Sequence, residues 1–195
     1  MVTMKVGVLA LQGAFIEHIQ ALESLGVQAV EVRKPEQLRD LDGLIIPGGE
    51  STTFGKLATT FGLIEPIRAL CQSGKPVWGT CAGMIFLACD IGRDQPLIGV
   101  MDVRVRRNAF GRQVASFEID LDMPMLEPRA PFHAIFIRAP LIESVGKNVA
   151  VLAKLPDGTI VAARQGNLLA TSFHPELTND RRMHRFFLNS MGKKV

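Results

Sequence analysis

The N-terminal half of the chain repeats one pattern, a short apolar run, a glycine-bearing turn and a helical spacing, and no other feature constrains the fold as strongly. Lys5 to Leu11 is an apolar run. Gly13 follows it, then Phe15, Ile16, Ile19, Leu22 and Leu25 recur at helical spacing until Gly26 closes the segment. Val27 to Val32, Gly43 to Pro47 before Gly48 and Gly49, and Pro76 to Thr80 before the apolar segment Met84 to Ala88 restate the pattern. Parallel strands need a covering crossover between them, so strands alternating with helices specify a parallel sheet clothed by helices.

From Gly99 onward the spacing turns strand-like, at Val100 to Arg106, Ser116 to Leu121, Ala134 to Arg138, Val149 to Leu155, Thr159 to Arg164 and Leu168 to Phe173. Pro156-Asp157-Gly158 and Gln165-Gly166-Asn167 are turn sequences between neighbouring runs, which predicts hairpins. A final helical pattern places Met183, Phe186, Phe187 and Met191 on one inward stripe, with Asp180 near its start and Gly192 at its end. The expected fold is therefore α/β: a three-layer, open, mostly parallel sheet flanked by helices, with antiparallel hairpins in the C-terminal half. A length of 195 residues with 47% hydrophobic and 21% charged residues fits a single folded domain over residues 1–195.

The balance of charge excludes some partners. A net charge of +3 spread along the chain gives little support for nucleic-acid binding. Arg104, Arg106 and Arg107, and Arg181 with Arg182, read by default as solvated faces. No apolar run approaches the ~20 residues a membrane-spanning helix needs, and the start lacks a signal-peptide pattern, so a cytoplasmic location is expected. Cys71, Cys81 and Cys89 form no CxxC pair and no complete disulfide set, so each has to be read from its own surroundings.

Strands of an open parallel sheet present their functional groups at their carboxyl ends. There the turns after Pro47, Thr80 and Phe173 carry chemistry. Gly79-Thr80-Cys81-Ala82-Gly83 has the strand-turn-helix setting of a nucleophile elbow with cysteine in place of serine. Its helix N-terminus favours the thiolate, the reactive form. Cys71 and Cys89 lack glycine flanks and read as small buried hydrophobes. Ser172-Phe173-His174-Pro175-Glu176 follows a strand, so His174 can reach the nucleophile as general base while Glu176 fixes its tautomer. His18, His133 and His184 lack such a setting and read as structural or surface residues. Pro47-Gly48-Gly49-Glu50-Ser51-Thr52 lets backbone N–H groups approach an oxygen closely, and the N–H groups of Gly49 and Ala82 are candidates for an oxyanion hole. The same glycines also suit a plain strand-to-helix turn with Ser51 or Thr52 as helix cap. P-loop and dinucleotide spacings are absent from this turn, which disfavours nucleotide binding.

These three turns, in this order, resemble the triad-type, class I glutamine amidotransferases, whose sheet is flavodoxin-like. Within that superfamily Leu11-Gln12-Gly13-Ala14, Pro47 to Thr53, Arg107-Asn108-Ala109-Phe110-Gly111-Arg112-Gln113, Phe136-Ile137-Arg138-Ala139-Pro140 and Ser172 to Leu177 resemble the glutaminase subunits of pyridoxal 5'-phosphate synthases, essentially from end to end. Trp78 and the segment Arg129 to Phe132 are minor departures. The resemblance implies that Gly49, Glu50 and Ser51 hold L-glutamine, with further contacts from Arg107 and from the Ile137-Arg138 strand end. A guanidinium suits the ligand's α-carboxylate. It also implies a Cys81-His174-Glu176 triad that releases ammonia to a separate synthase subunit, which forms a ring that the glutaminase subunits decorate. This chemistry calls for no metal and no organic cofactor. Another amidotransferase glutaminase, a binding module without turnover and a cysteine hydrolase of other specificity are the rival readings.

Overall fold

Side chains of successive strand residues point to opposite faces of a sheet, and here both faces are apolar. Val6, Val8, Ile45 and Trp78 pack in one buried cluster, while Leu9, Leu44, Ile46 and Val77 pack in another. The computed structural model describes residues 4–107 and 116–192. In chain order its elements are β1 (Lys5–Leu9), α1 (Phe15–Glu23), β2 (Gln28–Val32), β3 (Gly43–Ile46), α2 (Ser51–Thr60), α3 (Ile64–Gln72), β4 (Val77–Thr80), α4 (Ala82–Leu87), β5 (Ala88–Asp90) and β6 (Met101–Arg106). There follow β7 (Ser116–Leu121), β8 (Phe132–Ile137), β9 (Leu141–Val145), β10 (Ala150–Lys154), β11 (Ile160–Gln165), β12 (Leu168–Thr171) and α5 (Arg182–Asn189).

The central sheet has 10 strands in the order β2-β1-β3-β4-β12-β11-β9-β6-β5, with β10 beside β11. From β2 to β12 every pairing is parallel. This is the flavodoxin-like order, with the late strand β12 in the fifth place. Beyond β12 the pairings to β11, β9 and β6 are antiparallel, and β5 closes the edge parallel to β6. Helices α1 and α5 cover one face, through Leu22, Met183, Phe187 and Leu188; α2, α3 and α4 cover the other, through Phe54, Ile67 and Phe86. Each such side chain stabilises the fold by roughly 1.5–3 kcal/mol relative to exposure, and that two-sided burial explains why the strands read as unbroken apolar runs.

A second, two-stranded sheet pairs β7 with β8 in antiparallel register. Aromatic contacts fasten it to the segment after β12: Phe132 and Phe136 lie 5.6 and 5.7 Å from Phe173, ring centre to ring centre. The Arg182 side chain clips the preceding loop, donating to the carbonyls of Pro128, Ala130 and Pro131 at 3.0, 2.8 and 2.8 Å. It is therefore a structural clip, not the solvated charge expected.

Other departures from expectation are local. Strand β8 starts at Phe132, so His133 lies within it and bridges Asp120 and Glu118 across the hairpin. Strands β5 and β9 were not foreseen, since each is short and β9 follows directly on Pro140. Ile16 is 52% exposed, whereas Phe15, Ile19, Leu22 and Leu25 pack against the core as expected, and His18 and Ala21 are buried beside them. On α5 the fully buried stripe is Met183, His184, Phe187 and Leu188, while Phe186, and Met191 beyond the helix end, are half-buried against the same cluster. Cys71 is buried as expected, but Cys89, on the edge strand β5, is exposed.

Candidate active site

Strand β4 ends at Thr80, and Cys81 reverses the chain into α4 with φ 49° and ψ −105°. A non-glycine residue held in so sparsely populated a region costs on the order of 1–3 kcal/mol and persists only where its surroundings over-determine it. They do so here. The Cys81 N–H donates to the Thr171 carbonyl at 2.8 Å, extending the ladder between β4 and β12. A Cβ on Gly79 would lie 2.4 Å from the Gly83 carbonyl oxygen, and one on Gly83 would lie 2.0 Å from that of Ile46. Both flanking glycines are thus required by the close approach of backbone. The Cys81 Sγ donates to the Ile137 carbonyl at 3.9 Å.

The parallel register of β12 on β4, Thr171 opposite Thr80, brings the turn after β12 beside this elbow. His174 Nδ1 lies 2.7 Å from Glu176 Oε1, and the 3-10 turn Pro175–Leu177 fixes their spacing. The His174 N–H bonds the Ile135 carbonyl at 2.8 Å, which ties the turn to β8. Burial pulls His174 towards neutrality, but its contacts with Cys81 and Glu176 outweigh burial and raise it to about 10. Glu176 is 4% exposed. Burial would raise its carboxyl, yet the His18 and His174 imidazoles against its two oxygens hold it below the usual carboxylate range.

The turn after β3 forms the opposite wall. A Cβ on Gly48 would lie 2.4 Å from His174 Cε1 and 3.3 Å from Cys81 Cβ, so glycine alone lets the turn touch both. Two residues on, Gln12 clamps Glu50, accepting from its N–H at 3.3 Å and donating to its carbonyl at 3.1 Å. A Cβ on Gly49 would fall 2.3 Å from the same Gln12 amide. The cap of α2 is Glu50, not Ser51 or Thr52: its carboxylate accepts from the N–H groups of Thr52 and Thr53 at 3.0 and 2.7 Å, because a longer side chain one residue earlier reaches both. Slight burial opposes ionisation of Glu50, but these bonds outweigh it and bring its carboxyl down to about 2.

A cavity of about 490 Å³ opens over these groups, lined by Gly49, Glu50, Ser51, Cys81, Ala82, Arg107, Ile137, Arg138 and His174, together with Ile85 and Pro140. All the sequence-predicted residues therefore meet at one place, with Glu176 directly behind His174. Arg107 is turned inward, bonding Glu50 at 3.0 Å, Thr52 at 3.2 Å and Gln95 at 3.0 Å. Arg138 is held at φ 45° and is exposed at the rim. The Ser51 hydroxyl, in the cavity wall, is buried without a hydrogen-bond partner among the described residues. Residues Asn108 to Gln113, expected beside Arg107, lie outside the described residues. Among the described residues no group of three or more His, Cys, Asp or Glu side chains is placed to hold a metal ion.

Comparison with known proteins agrees with this geometry. Residues 8–193 match the model of the SNO glutamine amidotransferase family. The chain belongs to that family. Among its relatives, the pyridoxal 5'-phosphate synthase subunit PdxT of Moorella thermoacetica is 61% identical over 190 residues, covering 97% of this chain and 100% of the relative. The protein of the same name from Dehalococcoides mccartyi strain BAV1 is 62% identical over 189 residues, covering 95% and 96%. A crystal structure of a glutamine amidotransferase superposes with a TM-score of 0.90 at 53% identity, covering 96% of this chain and 99% of that one. The structure of PurLQS from Thermotoga maritima shares the fold alone, at TM-score 0.73 and 15% identity over 96% and 99% of the two chains.

Some residues of this SNO-family site escaped the sequence reading in their roles. Gln12 and Gln95 are polar residues of loops that only the folded chain brings in. His18, read as structural or surface, lies 3.3 Å from Glu176 through its Nε2. Its signal was its place between Phe15 and Leu22, a polar side chain on the inward spacing of α1.

Proposed function

We propose that this chain is the glutaminase component of a pyridoxal 5'-phosphate synthase, one domain over residues 1–195 that hydrolyses L-glutamine to L-glutamate and ammonia. The observation that carries the reading is the His174 Nδ1 to Glu176 Oε1 bond of 2.7 Å, set beside the strained Cys81 elbow at the floor of the cavity. A carboxylate that fixes an imidazole tautomer, with a thiol on the imidazole's other side, is the arrangement of a nucleophile, its base and the orienter of that base.

In this mechanism the Cys81 proton passes to His174 and the thiolate attacks the carboxamide carbon. The N–H groups of Gly49 and Ala82 hold the oxyanion. The C–N bond then breaks, ammonia leaves with the proton from His174, and water activated by the same imidazole hydrolyses the glutamyl thioester, returning the thiol. Ser51, whose hydroxyl lacks a partner among the described residues, and Glu50 contact the ligand's polar end, and Arg107 and Arg138 face its α-carboxylate across the cavity. The ammonia passes to a separate synthase subunit that forms a ring in the cytoplasm; no helix of the described residues is long and apolar enough to cross a membrane.

The test is glutamate and ammonia release from glutamine, with and without a synthase subunit, by the native chain and by Cys81→Ala. Partner-stimulated release abolished by the substitution is expected. Release that survives it would sink the mechanism.

A further inference from the structure

Behind Glu176, on the side away from the cavity, lie two histidines for which the mechanism above has no use. His18 of α1 and His184 of α5 are each 0% exposed. His18 Nδ1 lies 3.1 Å from His184 Nε2, and His18 Nε2 lies 3.2 Å from Thr80 Oγ1 and 3.3 Å from Glu176 Oε2. Trp78 walls the pair in, its ring 5.7 Å from His18 and 5.2 Å from His184, both edge-on. Two imidazoles in so apolar a place need a reason, because a buried polar group costs free energy unless it makes hydrogen bonds.

The carboxylate decides their proton positions. Oε1 of Glu176 is taken by His174, and Oε2 is buried with no hydrogen-bond partner among the described residues. An ionised oxygen there requires a donor, and His18 Nε2 is the nitrogen that faces it. Burial keeps His18 neutral against the pull of Glu176, so it carries one ring proton. With that proton on Nε2, Nδ1 accepts a hydrogen bond from the His184 Nε2–H. The opposite tautomer would let Nε2 accept from the Thr80 hydroxyl, but it would aim the same lone pair at a carboxylate oxygen that has no donor among the described residues. One consistent direction results, from His184 to His18 to Glu176, with His174 donating to the carboxylate from the other side.

We propose that His18 is a positioning residue for the reaction: its Nε2–H holds Glu176 ionised and aimed at His174, and His184 in turn fixes the tautomer of His18. The inference rests on the glutaminase reading of the site. His18 touches neither the cavity nor the nucleophile and acts only through Glu176. The charged or titratable groups around it are Glu176 and His174 on the turn after β12, His184 and Arg181 at α5, and Glu17 on α1.

Three proteins decide it: native, His18→Leu, which removes the donor, and His18→Gln, whose side-chain amide can present an N–H where Nε2 stood. With the synthase subunit present, His18→Leu is expected to lower kcat for glutamine about tenfold and to move the acid limb of its pH profile upward by about one unit, since the carboxylate loses a charge-assisted bond. KM should stay within about twofold of native because nothing in the cavity changes. His18→Gln should restore most of the loss. An unmoved acid limb, or equal losses in the two variants, would mean that His18 only fills space. A second measurement is independent of turnover: the His174 Nδ1 proton, bonded to Glu176, should give a far-downfield proton resonance that is retained in His18→Gln and displaced or lost in His18→Leu. The same resonance in all three proteins overturns the inference, whatever the substrate. Absence of glutamine hydrolysis by the native protein with its partner counts against the glutaminase reading alone, and the resonance then decides the role of His18.

Discussion

Gly48→Ala tests the three-turn site at its tightest contact. The backbone of Gly48 is outside the positive-φ region, so alanine costs nothing in conformation, and the whole effect falls on the added methyl. That methyl would be 2.4 Å from His174 Cε1 and 3.1 Å from its Nδ1. Carbon atoms prefer a separation of about 3.5–4.0 Å, so something must give by about 1 Å or more. The turn cannot retreat easily, because a Cβ on Gly13 would already stand 1.8 Å from the Gly48 oxygen, so these two backbones are packed in contact. The imidazole must therefore swing against its bond to Glu176. A misplacement of about 1 Å between reacting groups costs on the order of 100-fold in rate. Glutamine hydrolysis in the presence of the synthase subunit should fall by about that factor in kcat, while the melting temperature moves by only a few degrees. Activity within about threefold of native, with the His174 ring undisplaced in a crystal structure of the variant, would refute the reasoning.

Other consequences are as open to measurement. Glu176→Gln keeps the shape but removes the charge that raises His174, so kcat should fall by three to four orders of magnitude, roughly as when other triads lose their carboxylate; retention of more than a tenth of the activity would contradict this. Glu50→Ala removes the cap of α2, which should cost about 1 kcal/mol, or roughly 2–4 °C in melting temperature, and should raise KM through Arg107. Because the Glu50 carboxyl is depressed to about 2 from 4.5, its stabilisation is present above pH 4.5 and lost as pH falls towards 2; the gap in melting temperature between native and variant should be full at pH 6 and smaller at pH 3. Burial pushes the Cys71 thiol up to about 12, so iodoacetamide at pH 8 should label the exposed Cys89 and leave Cys71 untouched until denaturant is added, which peptide mass mapping reads directly.

Much of the fold was legible because buried parallel strands write themselves as apolar runs: Lys5–Leu9, Gly43–Ile46 and Val77–Thr80 fall inside the predicted segments. The elbow was legible for a related reason, since only Gly79 and Gly83 permit the backbone approach that Cys81 needs. What escaped depends on partners far away in sequence. Arg107 looked like a surface charge until Glu50, Thr52 and Gln95 surrounded it. His184 looked unremarkable on a helix because its reason for burial, His18, lies on another helix. Along α1 and just past it Phe15, Ile19, Leu22 and Leu25 pack inward and only Ile16 escapes, while on α5 His184 and Leu188 join Met183 and Phe187 in the fully buried stripe, a distinction that spacing cannot resolve when apolar side chains flank the stripe on both sides.

The 2.8 Å bond from the Cys81 N–H to the Thr171 carbonyl makes the site part of the load path of the molecule. Cys81 and the strand that leads to His174 are stitched together in the middle of the ten-stranded sheet, with β3, β1 and β2 on one side and the antiparallel extension on the other. Amide exchange at Cys81 should therefore be among the slowest in the chain and require global opening. Heating should abolish activity and fold in one transition, with no inactive but folded stage in which nucleophile and base have drifted apart. Adjustment of the site is left to the wall that faces them, where a glycine pair and the Gln12 amide set the shape of the cavity.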